Sequence, residues 1–464
     1  MFSDLQYLTV SLPEDIEKLK WYGDFERAKK LIDLRLQKEI PKALRKRLEL
    51  EKWVLERMPL DYVYTKEEAL ALMEGALENV TEEELERFRD EGAAEWIFVN
   101  GQVRYKDNFL ENLLKTRKEL WPRLKDASMV EGRIRGGELL DKTIASMKEK
   151  GGLAYRMRIR ATLEIEKSAQ RPGKLLRVHL PIPVEQGQVK NFRLLGTSME
   201  PVCIAPPDYP QRTVYMETRL KPRDVFWVEY EFENHTRYCR LEEEKAVQAA
   251  IDGELRECLE ELPPHICFTP YLRELTRQIV GGEENPLRKA RKIYDYLTVH
   301  VMYSFVRPYA TIANLPEYMA LGLKGDCGIY ALLFITMCRI AGVPAKWQSG
   351  LYGTPLEIGN HDWARFYVAP YGWLYADCSF GGSAWRDGKK ERWDFYFGNL
   401  DPFRVPLCSR FQHEFTPPGK FLREDPYDNQ SGEAEYEDGG LINELDYKTK
   451  KEILSIEEIT LAPR

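Results

Sequence analysis

No stretch of this chain approaches the roughly 20 consecutive apolar residues that a membrane-spanning helix requires, so no membrane partner is expected. Basic residues are not in excess: 68 Lys and Arg stand against 75 Asp and Glu, a formal net charge of -7, with both signs spread along the 464 residues. A chain without a basic stripe lacks the electrostatic footprint that a phosphate backbone demands, so nucleic acid is not an expected partner either. Histidine is scarce, with six in all, and no cysteines stand at Cys-x-x-Cys spacing, so no metal site or redox motif is expected. Gly388-Lys389 has Ser383 where a phosphate-binding loop needs its first glycine. There is no internal repeat. The opening Met1-Phe2-Ser3-Asp4 lacks the basic and apolar regions of a secretory signal. Taken as complete, the chain is expected in the cytoplasm, with its eight cysteines as free thiols.

What is present is ordinary globular composition, 43% hydrophobic and 31% charged. Residues 1–127 read as a helical region. Phe25, Ala28, Leu31, Ile32 and Leu36 recur at helical spacing, and Thr81-Glu82-Glu83-Glu84 resembles a capping box. Asn100-Gly101, between two β-rich runs, signals a hairpin, because a tight type I′ turn needs positive φ at both central residues. Residues 128–245 read as a β-rich domain, with extended runs at Leu175–Pro183 and Val225–Phe232. Residues 246–415 read as a mixed core. In 416–464 the acidic stretch from Glu424 to Asp438 reads as a linker, followed by a last strand or helix within Thr449–Leu461.

The chemistry concentrates in 324–382. Lys324-Gly325-Asp326-Cys327-Gly328 precedes an apolar run, Ile329 to Ile340, that reads as a buried helix ended by Gly342 and Pro344. Cys327 thus falls at a helix N-terminus, where free N–H groups and the positive dipole end favour thiolate over thiol and can hold an oxyanion. Asn360-His361-Asp362-Trp363 opens one strand and Trp373-Leu374-Tyr375-Ala376-Asp377 forms the next, with a turn at Pro370-Tyr371-Gly372. An antiparallel pairing brings His361 near Asp377. A carboxylate bonded to one imidazole nitrogen leaves the other free to serve Cys327.

Gly325-Asp326-Cys327 before an apolar helix, then Ala341-Gly342-Val343-Pro344, His361-Asp362-Trp363, Gly372-Trp373 and Asp377 together resemble the transglutaminase-like superfamily. The resemblance covers roughly 285–385. It implies an α+β fold with a papain-like core, a β-rich domain before it, and a Cys-His-Asp triad that works without cofactor or metal. Two residues depart from the family pattern: Asp362 stands where Ala or Val is usual, and Cys378 where Pro is common.

The expected function is hydrolysis of an amide or peptide bond of a peptide or protein substrate, through a thioester on Cys327. His361 is the general base and acid, and Asp377 orients it. The alternatives are acyl transfer to an amine, and a non-catalytic binding protein on the same core. Tyr303 and Tyr309 are candidate oxyanion donors and Trp363 a candidate groove wall. The glycine-containing segment Ser349–Asn360 is expected as a flexible border open to water, which favours hydrolysis. Asp326, Glu357 and Asp362 would favour a cationic group nearby.

Overall fold

The computed structural model describes residues 2–462, so Met1 of the N-terminal reading lies outside the described residues. The architecture is α+β. The first part is a set of short helices: Glu14–Tyr22, Phe25–Leu36, Lys42–Arg57, Lys66–Ala76, Glu82–Asp90 and Phe109–Thr116. Phe25, Ala28 and Ile32 are buried on one face of the second, and Asp24 caps it by accepting from Arg27 N. Pro41, which lacks an N–H, stands at the N-cap of the third. Thr81 accepts from Glu84 N at 3.2 Å, as its motif predicts. Asn100 and Gly101 turn the hairpin between Trp96–Val99 and Gln102–Tyr105 with φ of 50° and 73°.

A long helix, Ser128–Lys150, leads into two antiparallel sheets. One orders Val189–Thr197, Val225–Arg237, Gly152–Ile165 and Tyr447–Ile459. The other orders Cys203–Ile204, Thr213–Arg219, Leu175–Pro181, Glu433–Tyr436 and Gly439–Gly440. Their inner faces share one apolar core that includes Ile159, Val178, Met216, Val228 and Tyr230.

The stretch read as an acidic linker is therefore something else. All four residues of Glu433–Tyr436 are buried, and the strand pairs with Leu175–Pro181. Arg423 explains how acidic residues are tolerated there: its guanidinium, almost fully buried, donates to Glu433 Oε1 at 2.8 Å. That pairing offsets only part of the cost of burial, which still pushes the Glu433 carboxyl up to about 8.

The five-stranded sheet of the core orders Phe397–Gly398, Gly372–Ala376, Ile358–Val368, Ala345–Gly353 and Arg404–Cys408, all antiparallel. The helix Cys327–Ile340 packs on one face, with every residue from Gly328 to Cys338 buried. Ala364, Phe366 and Val368 on the strand and Leu332, Phe334 and Met337 on the helix belong to one core. At about 1.5–3 kcal/mol for each large apolar side chain, this burial fixes the helix firmly against the sheet. The border Ser349–Asn360 is not a flexible loop: most of it is strand, paired from Ser349↔Asp362 to Gly353↔Ile358, with only 354–357 between.

The helical region joins the core close to Cys327. Asn112, on the helix Phe109–Thr116, accepts from Phe305 N at 2.9 Å and donates to Ala93 O at 2.8 Å. Lys324 reaches Glu95 at 2.6 Å.

Candidate active site

Cys327 is the first residue of its helix. Asp326, in extended backbone, caps it by accepting from Ile329 N at 3.3 Å. The Tyr309 hydroxyl donates to the same carboxyl oxygen. A side chain at Gly328 would overlap that hydroxyl and sit 3.0 Å from Asp362 Oδ2, so glycine is what lets phenol and carboxyl crowd the helix start. Tyr303 lies on a two-residue strand paired with Lys324–Gly325. Burial and the nearby thiol and carboxyls keep the phenols of Tyr303 and Tyr309 protonated, as hydroxyl donors.

Successive residues on a strand point to opposite faces. On Ile358–Val368 this separates the two residues that follow Asn360. Asp362 faces the helix, and Cys327 Sγ lies 3.2 Å from its Oδ2. His361 faces the other way. Its Nε2 bonds Asp377 Oδ2 at 2.7 Å, and its ring packs against Phe380 and Trp363. The expected triad is thus joined in one half. His361 and Asp377 are brought together, whereas the thiol's hydrogen bond goes to Asp362.

Asp377 is fully buried and held by four partners, one of them the Ser379 hydroxyl, which donates to Oδ1 at 3.2 Å. Besides His361 it accepts from Phe380 N, capping the helix Cys378–Arg386, and pairs with Arg404 at 3.0 Å. Arg404 also pairs with Asp401 at 2.8 Å and lies among the rings of Tyr352, Trp363, Phe380 and Tyr396. Burial works to raise the Asp377 carboxyl, but His361 and Arg404 outweigh it and hold it below the usual range. Burial also lowers His361, with Arg404 adding to this and Asp377 opposing it. The imidazole is therefore neutral, with Nε2–H donating to the carboxylate and Nδ1 left as the basic nitrogen.

The thiol is not activated in this arrangement. Burial comes first, then the carboxyls of Asp362 and Asp326, and together they push Cys327 well above an ordinary thiol. The helix N-terminus favours thiolate, but low dielectric and two adjacent carboxyls win. Asp362 is itself raised well above an ordinary carboxyl, by burial and by Asp428 beside it. Gln430 donates to Asp362 Oδ1 at 2.5 Å and to His361 O at 3.1 Å, while Asp428 accepts from Ser349 Oγ at 2.6 Å.

Trp363 is fully buried, with Nε1 bonded to Gln348 at 2.8 Å. It is a packing residue under His361 and walls no groove. Of the three motif carboxylates, Asp362 is buried and Asp326 half-buried, which leaves Glu357 as the exposed one that a cationic group could meet. The exposed cation beside the site is Lys115, 5.1 Å from the Tyr303 ring centroid and 5.0 Å from that of Phe305. Sequence reasoning missed Arg404, Asp428 and Gln430. Arg404 sits in no motif. Asp428 and Gln430 lie in the stretch read as linker, where Tyr427 and the alternating Glu433-Ala434-Glu435-Tyr436 were the available signal.

A profile of the Transglutaminase-like superfamily matches residues 273–378, the span that contains Cys327, His361 and Asp377. The chain carries a transglutaminase-like superfamily core. The rest of the molecule, helices before and sheets on both sides in sequence, surrounds that core. An uncharacterized protein of Haemophilus influenzae is 25% identical over 238 residues, covering 43% of this chain and 62% of that protein, so the match spans less than two thirds of the relative. A solved structure described as a candidate cysteine protease of Cytophaga hutchinsonii overlaps with a TM-score of 0.43 at 14% identity, covering 66% of this chain and 91% of that one. The periplasmic domain of TgpA from Pseudomonas aeruginosa overlaps with a TM-score of 0.29 at 15% identity, covering 54% and 94%. Overlaps of this size are silent on substrate. Among the described residues no helix is long and apolar enough to cross a membrane, and no group of three or more His, Cys, Asp or Glu is placed to hold a metal ion.

Proposed function

We propose that this chain hydrolyses an amide bond in a peptide or protein, with Cys327 as nucleophile, His361 as base and acid, and Asp377 as the group that orients His361. Cys327 gives its proton to Nδ1 of His361, and its sulfur attacks the carbonyl carbon. The N–H groups at the helix start are the donors this reading assigns to the oxyanion. The imidazolium returns the proton to the leaving amine, and water then releases the acyl group from the thioester. The observation that carries this reading is the buried His361–Asp377 pair at 2.7 Å, clamped by Arg404 inside the matched core whose helix begins at Cys327. In the working state Nδ1 of His361 has to reach Sγ, a contact the resting arrangement replaces with Asp362.

The test is product analysis by mass spectrometry with a peptide library and an added primary amine. Cleaved or deamidated products, lost in Cys327→Ala and His361→Ala, support hydrolysis. Amine-coupled or cyclised products would instead assign acyl transfer. The second reading, binding without catalysis, is favoured by one observation: the thiol is bonded to a carboxyl and not to the imidazole. It predicts library peptides retained by the protein, equally by wild type and Cys327→Ala, with no product.

A further inference from the structure

Asp362 stands where the family pattern has a small apolar residue, and it is the side chain that touches the nucleophile. Its Oδ2 is 3.2 Å from Cys327 Sγ, and it is only 6% exposed. The contact is built. Gly328 leaves room for the carboxyl beside the helix start. Gln430 fixes the other carboxyl oxygen at 2.5 Å and ties it to the backbone of His361. The carboxyl of Asp428 faces Asp362 from the C-terminal segment and is held by Ser349, whose Oγ is in turn bonded by Trp347 Nε1 at 2.9 Å. Ser431, next to Gln430, receives hydrogen bonds from Asn360 at 3.1 Å and Lys451 at 2.7 Å, so the segment is anchored on both sides.

We infer that Asp362 is a positioning residue that holds Cys327 as a neutral thiol, so that the nucleophile rests in a latent form while the Sγ–Asp362 contact is kept. This rests on the proposed role of Cys327 as nucleophile. The physical reason is charge crowding. The thiol faces Asp326 from the helix cap, Asp362 from the strand, and the phenols of Tyr303 and Tyr309; Asp428 stands behind Asp362. Lys115 is the opposing cation, from the helical region. A thiolate there adds a negative charge to a buried group of carboxyls. Sγ–H therefore stays in place and donates to Oδ2. The latch belongs partly to the C-terminal segment, since Gln430 and Asp428 set where the Asp362 carboxyl points.

The experiment is the pH profile of Cys327 alkylation by iodoacetamide, read by peptide mapping, in wild type, Asp362→Asn and Asp362→Ala. Asn keeps the shape, and Ala restores the small residue of the family pattern; melting curves show that each variant is folded. The expected result is a profile moved to lower pH by at least about one unit in both variants, hence about 10-fold faster labelling at neutral pH. Unchanged or slower labelling in the variants overturns the inference, because a merely structural carboxyl would leave the profile in place and a proton-accepting one would slow it. The readout does not depend on turnover. Failure of the proposed function shows separately, as hydrolysis that survives Cys327→Ala or is never found.

Discussion

His361 and Asp362 are adjacent in sequence and serve opposite faces of one strand: the imidazole bonds Asp377 at 2.7 Å, and the carboxyl bonds the Cys327 thiol at 3.2 Å. The base and the nucleophile of the proposed reaction are thus present but kept apart. Each face has its own buried charge network, and a substitution on one face can perturb that network by itself.

Asp377→Asn is expected to lower turnover by up to ~10⁴-fold, since an amide no longer fixes the imidazole tautomer. It is also expected to destabilise the protein by about 1–3 kcal/mol, because Asp377 bonds both His361 and the buried Arg404. Denaturant titration beside steady-state kinetics checks both. Near wild-type turnover in the variant would remove Asp377 from the mechanism.

Arg404→Met is expected to cost about 3–5 kcal/mol, the size found when one partner of a buried ion pair is removed. Arg404 is fully buried and neutralises Asp377 and Asp401 together. Met fills part of the ring-lined cavity but leaves two carboxylates without a cation. A loss under about 1 kcal/mol by chemical denaturation would mean that the aromatic packing, and not the charge, is what matters there.

His265 is fully buried, and burial lowers it to about 3. Its Nδ1 accepts from Leu315 N at 3.2 Å, which requires the neutral ring. A histidine whose folded pKa is depressed takes up its proton first in the unfolded chain. Stability is therefore lost as pH falls below the unfolded value of about 6.5, by about 1.4 kcal/mol per unit until the folded value is reached. His265→Gln removes this proton uptake. Denaturation at several pH values should give the variant a shallower acid dependence by that amount. Parallel pH profiles for variant and wild type would refute the assignment.

A chain ending at residue 438 lacks the strand Tyr447–Ile459, which pairs along Gly152–Ile165 from Tyr447↔Ile165 to Ile459↔Ala154. It also exposes the core around Tyr447, which is fully buried in the intact protein. Insoluble protein is the expected outcome. A soluble product with an unchanged melting temperature would show that this pairing adds nothing to stability.

The sequence by itself determined the local elements and the chemistry types. The apolar run after Cys327 read as a buried helix with Cys327 at its start, and the structure bears this out. Thr81 as a helix cap and Asn100-Gly101 as a turn were legible for the same reason: backbone conformation and capping depend on neighbours within a few residues. The pairing of His361 with Asp377 was legible too, since a short turn joins their strands. Tertiary structure alone decided where the thiol's hydrogen bond goes. Strand alternation, and the face on which the helix packs, put Asp362 on Cys327 and turned His361 away. Nor could the sequence reveal that Arg404 clamps Asp377, or that Asp428 and Gln430 reach the site from an acidic stretch. Those contacts join residues far apart along the chain, and acidic residues look solvated until the cations that bury them, Arg423 and Arg404, are placed in space.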